Sequence, residues 1–151
     1  MTISTTAPPA VTAAANMLAA SATWTSLVGA GNELASIYYP NFDEQDTPLP
    51  CAVIFPAGRS KHKFIVGAPG LDGGSLTIVL HFPIATLDDA LEVAAEAILK
   101  DLFANDTGLA LRDGAVAPAE EPRPGERAAD ESVTEQGVRS TTITLEYGLT
   151  A

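Results

Sequence analysis

The side chains in this sequence that could do chemistry are few and scattered. It has two histidines, His62 in a Lys-His-Lys run and His81 on the polar side of an alternating segment. Neither belongs to an H-E-x-x-H pattern, and no cysteine or second histidine stands at ligand spacing from either one. Acid–base work by a histidine stays open, but nothing in the sequence positions a partner for it. We expect no metal, no cofactor and no enzymatic activity.

Two further features exclude common chemistries. Cys51 is the single cysteine, so a disulfide and a zinc site with two or more thiolates are both excluded, which fits a reducing compartment. The glycine-rich stretch 67–74, GAPGLDGG, lacks the G-K-[ST] of a phosphate-binding loop, and a strand pattern follows it instead of a helix. We interpret this stretch as a flexible hairpin tip.

Charged residues are unevenly distributed along the sequence, and their clusters predict contact surfaces instead of a reaction. The chain has 19 acidic and 8 basic residues, a net charge of −11, so we do not expect it to wrap nucleic acid, which needs clustered Lys and Arg. The candidate residues for a subunit interface or a channel are one aromatic residue, an acidic cluster, a basic cluster and two arginines interleaved with acids: Tyr39; Asp43, Glu44 and Asp46; Arg59, Lys61 and Lys63; and Arg123 and Arg127. Arg139 continues the interleaved series. The simpler alternative is a solvated surface, on which each exposed ion pair contributes about 0–1 kcal/mol.

The elements that must position these residues are two main helices and four or five strands. A first helix is predicted over residues 9–22, starting at Pro9, and a short second turn with Trp24, Leu27 and Val28 is predicted to follow it until Gly29 and Gly31. A second helix is predicted after Thr86 as its N-cap, and it ends at residues 105–108. Its apolar stripe is predicted to consist of Leu87, Leu91, Ala94, Ile98 and Leu102.

The strands are predicted from β-branched residues and alternation. Residues 33–40 predict one strand, and 51–56 predict a central strand buried on both faces. Residues 61–67 and 75–82 predict a hairpin, with 57–61 as a turn before it. The last strand, 138–149, alternates cleanly, and we expect its apolar face to pack against the second helix.

The remaining segments predict one domain with long loops. Residues 1–7 predict a flexible tail, and residues 113–137, rich in Pro, Ala, Glu and Gly, predict a long mobile loop that crosses the sheet and orders on a partner. We predict a single α+β domain over 1–151: a mostly antiparallel sheet of about 4–5 strands flanked by two main helices. We expect no secretory signal and no membrane span.

Four stretches carry a family resemblance: LAASATWTSLVGAGNELASIYYP, PCAVIFP, DDALEVAAEAILKDL and TTITLEYGLTA. In layout they resemble small structural proteins of tailed bacteriophages at the head–tail junction, the tail-terminator, tail-completion and neck proteins. The resemblance implies a virion protein made in the host cytoplasm, with no catalytic residues, that forms a ring of six subunits capping the tail tube. Its partners would be itself, the tail-tube protein and neck or connector proteins, with genome DNA passing through the ring without specific binding.

Other functions remain as alternatives. A head-completion or stopper protein belongs to the same class as the tail terminator. A small-ligand-binding α+β protein or minor enzyme belongs to another class, and a pocket lined by His62 or His81 with a convergent acid would favour it. A bacterial regulatory domain has only the size of the chain in its favour.

Overall fold

The computed structural model describes residues 9–39, 48–59, 71–84, 86–106, 109–118 and 138–150. Within these ranges the chain forms three helices and five strands. They are α1 (Pro9–Ala19), α2 (Ala22–Val28), β1 (Ile37–Tyr38), β2 (Cys51–Arg59), β3 (Leu71–Pro83), α3 (Asp88–Ala104), β4 (Leu111–Val116) and β5 (Val138–Thr150).

The described strands form one sheet in the order β1-β2-β3-β5-β4. β1 runs parallel to β2, and the other neighbouring pairs are antiparallel. The prediction of an α+β fold with a mostly antiparallel sheet and flanking helices is confirmed. The chain reaches this order because β5, the last strand, inserts between β3 and β4.

The two faces of the sheet differ in polarity. On one face, Ile54, Ile78 and Ile143 lie in one cross-strand row, and all three are fully buried in the cluster that also contains the helix side chains. On the other face, Thr144 and Glu146 of β5 are exposed. This alternation is what period-2 patterning predicts for a sheet covered by helices on one side.

Two helices, α1 and α2, occupy the region of the first predicted helix and of the residues that follow it up to Gly29. Ser21 stands between them in extended conformation, and its Oγ accepts a hydrogen bond from the backbone N–H of Trp24 at 3.2 Å, which caps α2. Gly29, with a φ of +93°, ends α2 in a conformation that favours glycine. The start at Pro9, the second turn before the glycines and the stop at Gly29 are confirmed, whereas α1 ends at Ala19 instead of at residue 22.

The start of α3 also differs from the prediction. Its N-cap residue is Leu87, without a side-chain cap bond, so Thr86 is not the cap and Leu87 is 74% exposed instead of lying in the stripe. Arg139 of β5 holds this end of the helix: it forms an ion pair with Asp88 and donates to the carbonyl oxygen of Thr86 at 3.1 Å. The side chains of α3 that are buried are Leu91, Ala95, Ile98 and Leu102.

The strand predictions for residues 33–83 need three corrections. Residues 33–36 form turns, and only Ile37–Tyr38 pair as a strand. Residues 57–59 belong to β2 instead of a turn, and residues 71–74 belong to β3 instead of a loop. β3 pairs with β2 on one side and with β5 on the other. The predicted hairpin partner at 61–67 lies outside the described ranges.

The end of the chain follows its pattern, but the segment before it does not. β5 has buried Ile143 and Leu145 facing the helices, and α3 contacts β5, as predicted. Residues 113–116, predicted as loop, pair with β5 as part of β4. Because β4 and β5 are neighbours in the sheet, joining them does not require a connection that crosses it. Residues 119–137, predicted to cross the sheet, lie outside the described ranges.

Candidate subunit-contact surface

Two of the nine predicted contact residues fall within the described part of the chain. Tyr39 follows β1 and packs, half-buried, against the core, so most of its ring is used inside the fold. Arg59 is the last residue of β2, with Gly74 as its partner on β3. The other predicted contact residues, Asp43, Glu44, Asp46, Lys61, Lys63, Arg123 and Arg127, lie outside the described ranges. Arg139, expected between subunits, is instead bound within the fold.

A groove lies between the outer side of α3 and the end of β4. Its volume is about 550 Å³, and it is open to solvent. The residues that line it come from two short segments: Glu92, Val93, Glu96, Ala97 and Lys100 of α3, and Val116, Ala117 and Pro118 at and just after the end of β4. We call this surface the α3/β4 groove.

Close packing holds α3 against β4. At Gly114 of β4, a Cβ atom would lie 2.7 Å from Leu99 Cδ1, 3.1 Å from Leu145 Cδ2 and 3.2 Å from Phe103 Cε2. These distances are shorter than carbon atoms tolerate, so the absence of a side chain at Gly114 permits the approach. One wall of the groove is therefore built directly on the backbone of β4.

The turn from α3 into β4 is organised by one carboxylate. Asp106 Oδ1 accepts from the backbone N–H groups of Leu109 and Ala110 at 3.0 and 3.1 Å, and Oδ2 accepts from that of Leu111 at 2.5 Å. Leu109 is fully buried and Leu111 is half-buried, so both pack onto the core. Asp106 thereby sets where β4 begins relative to the helix.

The groove combines apolar and acidic groups. Val93 is 68% exposed, on the opposite side of α3 from the buried stripe. Phe103, at the end of the helix and outside the groove, is 40% exposed. Glu96 and Lys100 are exposed one turn apart. Exposed apolar side chains beside a few charged groups are typical of surfaces that contact another protein.

β4 also offers its backbone. It is the outermost of the described strands on its side of the sheet, so its outer N–H and C=O groups face no other described strand. An edge of this kind is a template for pairing with a further strand. The first half of β4 carries charged Arg112 and Asp113 and a register shift, whereas Gly114, Ala115 and Val116 continue regularly. The N–H of Gly114 already donates to Asp113 Oδ1 at 2.8 Å, so a further strand beside this half of β4, next to the groove, would pair through its other backbone groups.

The histidine that could have marked a catalytic pocket lies elsewhere. Cys51, His81 and Ser140 stand in one row across β2, β3 and β5, and His81 Nδ1 is 2.8 Å from Ser140 Oγ. His81 is 8% exposed and does not line the groove. Burial raises the pKa of the Cys51 thiol to about 12, so it is a neutral thiol at pH 7 and not the thiolate that a nucleophile requires.

Asp101 links α3 to the start of α2. Its Oδ2 accepts from Ser21 Oγ at 2.6 Å and from the backbone N–H of Thr23 at 3.4 Å. The hydrogen bond from Ser21 lowers the pKa of Asp101 below its usual value, assisted by Thr23 and opposed by partial burial. Among the described residues, no group of three His, Cys, Asp or Glu side chains could hold a metal ion.

Comparison with known proteins adds no identity. No known protein family matches the chain, and no curated protein matches it. In the described ranges, no helix is long and apolar enough to cross a membrane. The resemblance to head–tail proteins of phages therefore stays a prediction.

Sequence reasoning missed the groove. The predicted contact residues were selected for charge clusters in loops, whereas the groove lies on a helix and on a segment predicted as loop. One signal was present in the sequence: Val93 and Phe103 are large apolar residues that fall off the buried stripe of α3. The other wall of the groove, Val116–Pro118, carried no such signal, because the sequence does not indicate that β4 is a strand.

Proposed function

We propose that this chain is a structural subunit of the head–tail junction of a tailed bacteriophage, a tail terminator that forms a ring of six subunits capping the tail tube. The observation that carries the proposal is the α3/β4 groove, in which an exposed valine and charged groups lie beside the outermost described strand on this side of the sheet. The family resemblance of the sequence supplies the biological setting. The chain would be made in the host cytoplasm and reside in the virion.

A ring needs two different surfaces on each subunit. In a closed ring, every copy uses one surface toward the preceding copy and another toward the following copy. The α3/β4 groove supplies one such surface on the β4 side of the sheet. The charged candidates predicted from sequence, among them Arg59 on the β2 side, supply the second.

The connection between β4 and β5 supports a role outside the fold. Adjacent antiparallel strands can be joined by about two residues. Ala117 donates its N–H to the carbonyl oxygen of Thr142 at 2.9 Å, so the chain at 117–118 is already alongside the beginning of β5. Residues 119–137 are therefore longer than closing this hairpin requires, and long acidic segments of this kind often serve contacts with partners.

The proposal is tested by locating the chain. Purified particles from a host strain that carries the gene should contain the chain by mass spectrometry, and cryo-electron microscopy should place a ring of it at the junction of head and tail. Light scattering coupled to size exclusion should show monomers that convert to a closed ring. Particles that lack the chain would contradict the virion assignment.

A deletion separates the fold from the assembly. Removing residues 122–135 leaves a connection long enough to join β4 to β5, so the unfolding free energy should change little. We expect the deleted chain to stay a folded monomer by circular dichroism but to fail in ring formation. A deletion that unfolds the chain would show that the segment belongs to the core instead.

A further inference from the structure

We propose that the α3/β4 groove receives residues 59–66 of a second copy of this chain. This inference rests on the proposed ring function and deepens it, because it names the two surfaces that meet in each contact. The segment joins β2 to the part of the chain that precedes β3. The contact is heterologous, with the groove of one copy occupied by the basic segment of the next.

The segment has the composition that the groove requires. Its sequence is RSKHKFIV, in which three basic residues, Arg59, Lys61 and Lys63, are followed at once by Phe64, Ile65 and Val66. In a chain with a net charge of −11 this is the one cluster of basic residues in the sequence. Its apolar half is rich in β-branched and aromatic side chains, which favour an extended strand.

The groove offers the complementary groups. Of the acidic residues of α3, Glu92 and Glu96 line the groove, and Lys100 follows one turn after Glu96. Val93 lies between the two glutamates, 68% exposed, and Val116 and Pro118 form the opposite wall. Basic side chains would face the carboxylates of the helix, while Phe64 to Val66 would lie against the apolar wall and the edge of β4.

The register of the sheet separates Arg59, the first residue of the basic segment, from the groove on the same molecule. Arg59 pairs with Gly74, which pairs with Tyr147, whereas Val116 pairs with Ile143. The two positions differ by three strand spacings and four residues along the strands, roughly 14 Å and 13 Å at ordinary sheet dimensions. Two separate surfaces on one subunit suit a head-to-tail contact, and a head-to-tail contact closes into a ring when the rotation allows it.

A peptide experiment tests the contact without requiring a ring. A fluorescein-labelled peptide of residues 58–67, GRSKHKFIVG, is titrated with the full-length chain and followed by fluorescence anisotropy. We expect saturable binding that weakens with salt. Glu96→Lys should weaken it at least tenfold, whereas Glu146→Lys, which reverses an exposed glutamate on the opposite sheet face, should change it less than twofold.

Three peptide results would overturn the inference. One is the absence of saturable binding. Another is an equal loss with Glu96→Lys and Glu146→Lys, which would indicate attraction to the overall negative charge. The third is binding only after residues 122–135 are deleted, which would show that the chain's own segment occupies the groove.

A charge exchange tests the same contact in the assembly. Glu96→Lys and the double variant Lys61→Glu/Lys63→Glu should each lose assembly in sedimentation velocity, and an equimolar mixture of the two should regain it. The mixture regains it because every contact then joins opposite charges. If both variants assemble as the wild type does, the inference is overturned and the proposed ring is left intact. Peptide binding by a chain that is absent from virions would overturn the proposed function and leave the contact intact.

Discussion

The two edges of the sheet are built in opposite ways. At the β1 edge, two residues pair with β2, Ile37 is fully buried, and Trp24 Nε1 donates to the carbonyl oxygen of Glu33 at 2.9 Å just before the strand. At the β4 edge, five of the six residues of β4 pair with β5, and the residues of this strand are half-buried or exposed. A short edge enclosed by apolar residues is protected from further pairing, whereas a longer one beside an open groove is not.

This difference indicates where contacts between subunits would form. Side chains of the β1 edge contribute to the stability of the monomer, and little of their surface is left for a partner. The β4 edge contributes less to the core and keeps both backbone groups and apolar side chains accessible. Mutations at the two edges should therefore separate stability from assembly.

The largest effect is expected at the β1 edge. Trp24 is fully buried between α2 and the chain leading to β1, so Trp24→Ala should lower the unfolding free energy by about 3–5 kcal/mol. Urea unfolding should be followed by far-ultraviolet circular dichroism, because this is the single tryptophan of the chain. Trp24→Phe keeps most of the buried volume and should cost about 1–2 kcal/mol. A loss below 1 kcal/mol for the alanine variant would mean that the β1 edge is not the better packed one.

A medium effect is expected where β4 meets α3. Gly114→Ala places a methyl group against Leu99, Leu145 and Phe103, and we expect a loss of about 1–3 kcal/mol from overpacking. Ala115→Ser, at the exposed next position, is the matched control and should stay within about 0.5 kcal/mol. Equal stability of the two variants in urea unfolding would contradict the close approach of β4 to the helix.

The turn that begins β4 gives the next prediction. Asp106→Ala removes the acceptor of three backbone N–H groups and should cost about 1–2 kcal/mol, as loss of a helix cap does. Asp106→Asn keeps one carbonyl oxygen and should cost less. Hydrogen exchange should show faster exchange at 109–111 in the alanine variant, and unchanged exchange there would exclude this role.

A smaller, pH-dependent effect is expected at Asp101, which lies between the edges. Because the folded state lowers its pKa, the ionised carboxylate stabilises the fold above the ordinary carboxyl pKa, and this contribution is lost as the pH falls below about 4. The unfolding free energy of wild type should exceed that of Asp101→Asn at pH 7, and the difference should shrink by pH 3. A difference that is constant with pH would show that the charge of Asp101 has no part in the bond to Ser21.

The smallest effect on stability is expected in the groove. Val93→Ser removes an exposed side chain, so the unfolding free energy should change by about 0.5 kcal/mol or less. Assembly measured by sedimentation velocity should nevertheless weaken. Ala90→Ser, exposed on the same helix outside the groove, is the control and should leave assembly unchanged. Equal assembly of the two variants would remove Val93 from the contact surface.

Local periodicity was sufficient where one side of an element is buried. The alternation of β3 and β5 and the positions Leu91, Ile98 and Leu102 on α3 were predictable, because each buries one regular face. Leu87 belonged to the same pattern but lies at the N-cap, outside the helical turn, so its side chain is exposed. Residues 113–116 could not be recognised as a strand, since an edge strand needs few apolar residues.

The contact surface was predictable only in part. The charged loop residues proposed from sequence lie mostly outside the described ranges and stay predictions, whereas Tyr39 and Arg139 are used within the fold. The groove depends on the approach of α3 to β4, which in turn depends on the glycine at 114 and the turn at Asp106. Contacts of this kind join elements that no local pattern relates.

The sequence by itself determined the kinds of elements, the faces they bury, the acidic character of the chain and its single thiol. It did so because side-chain spacing within an element acts over a few residues. Only the tertiary structure decided that β3 lies between β2 and β5, that β4 forms an edge, and that Val93 faces a groove. These features follow from strand pairing and packing between distant segments, where many partners are compatible with one apolar pattern and the shared core selects among them.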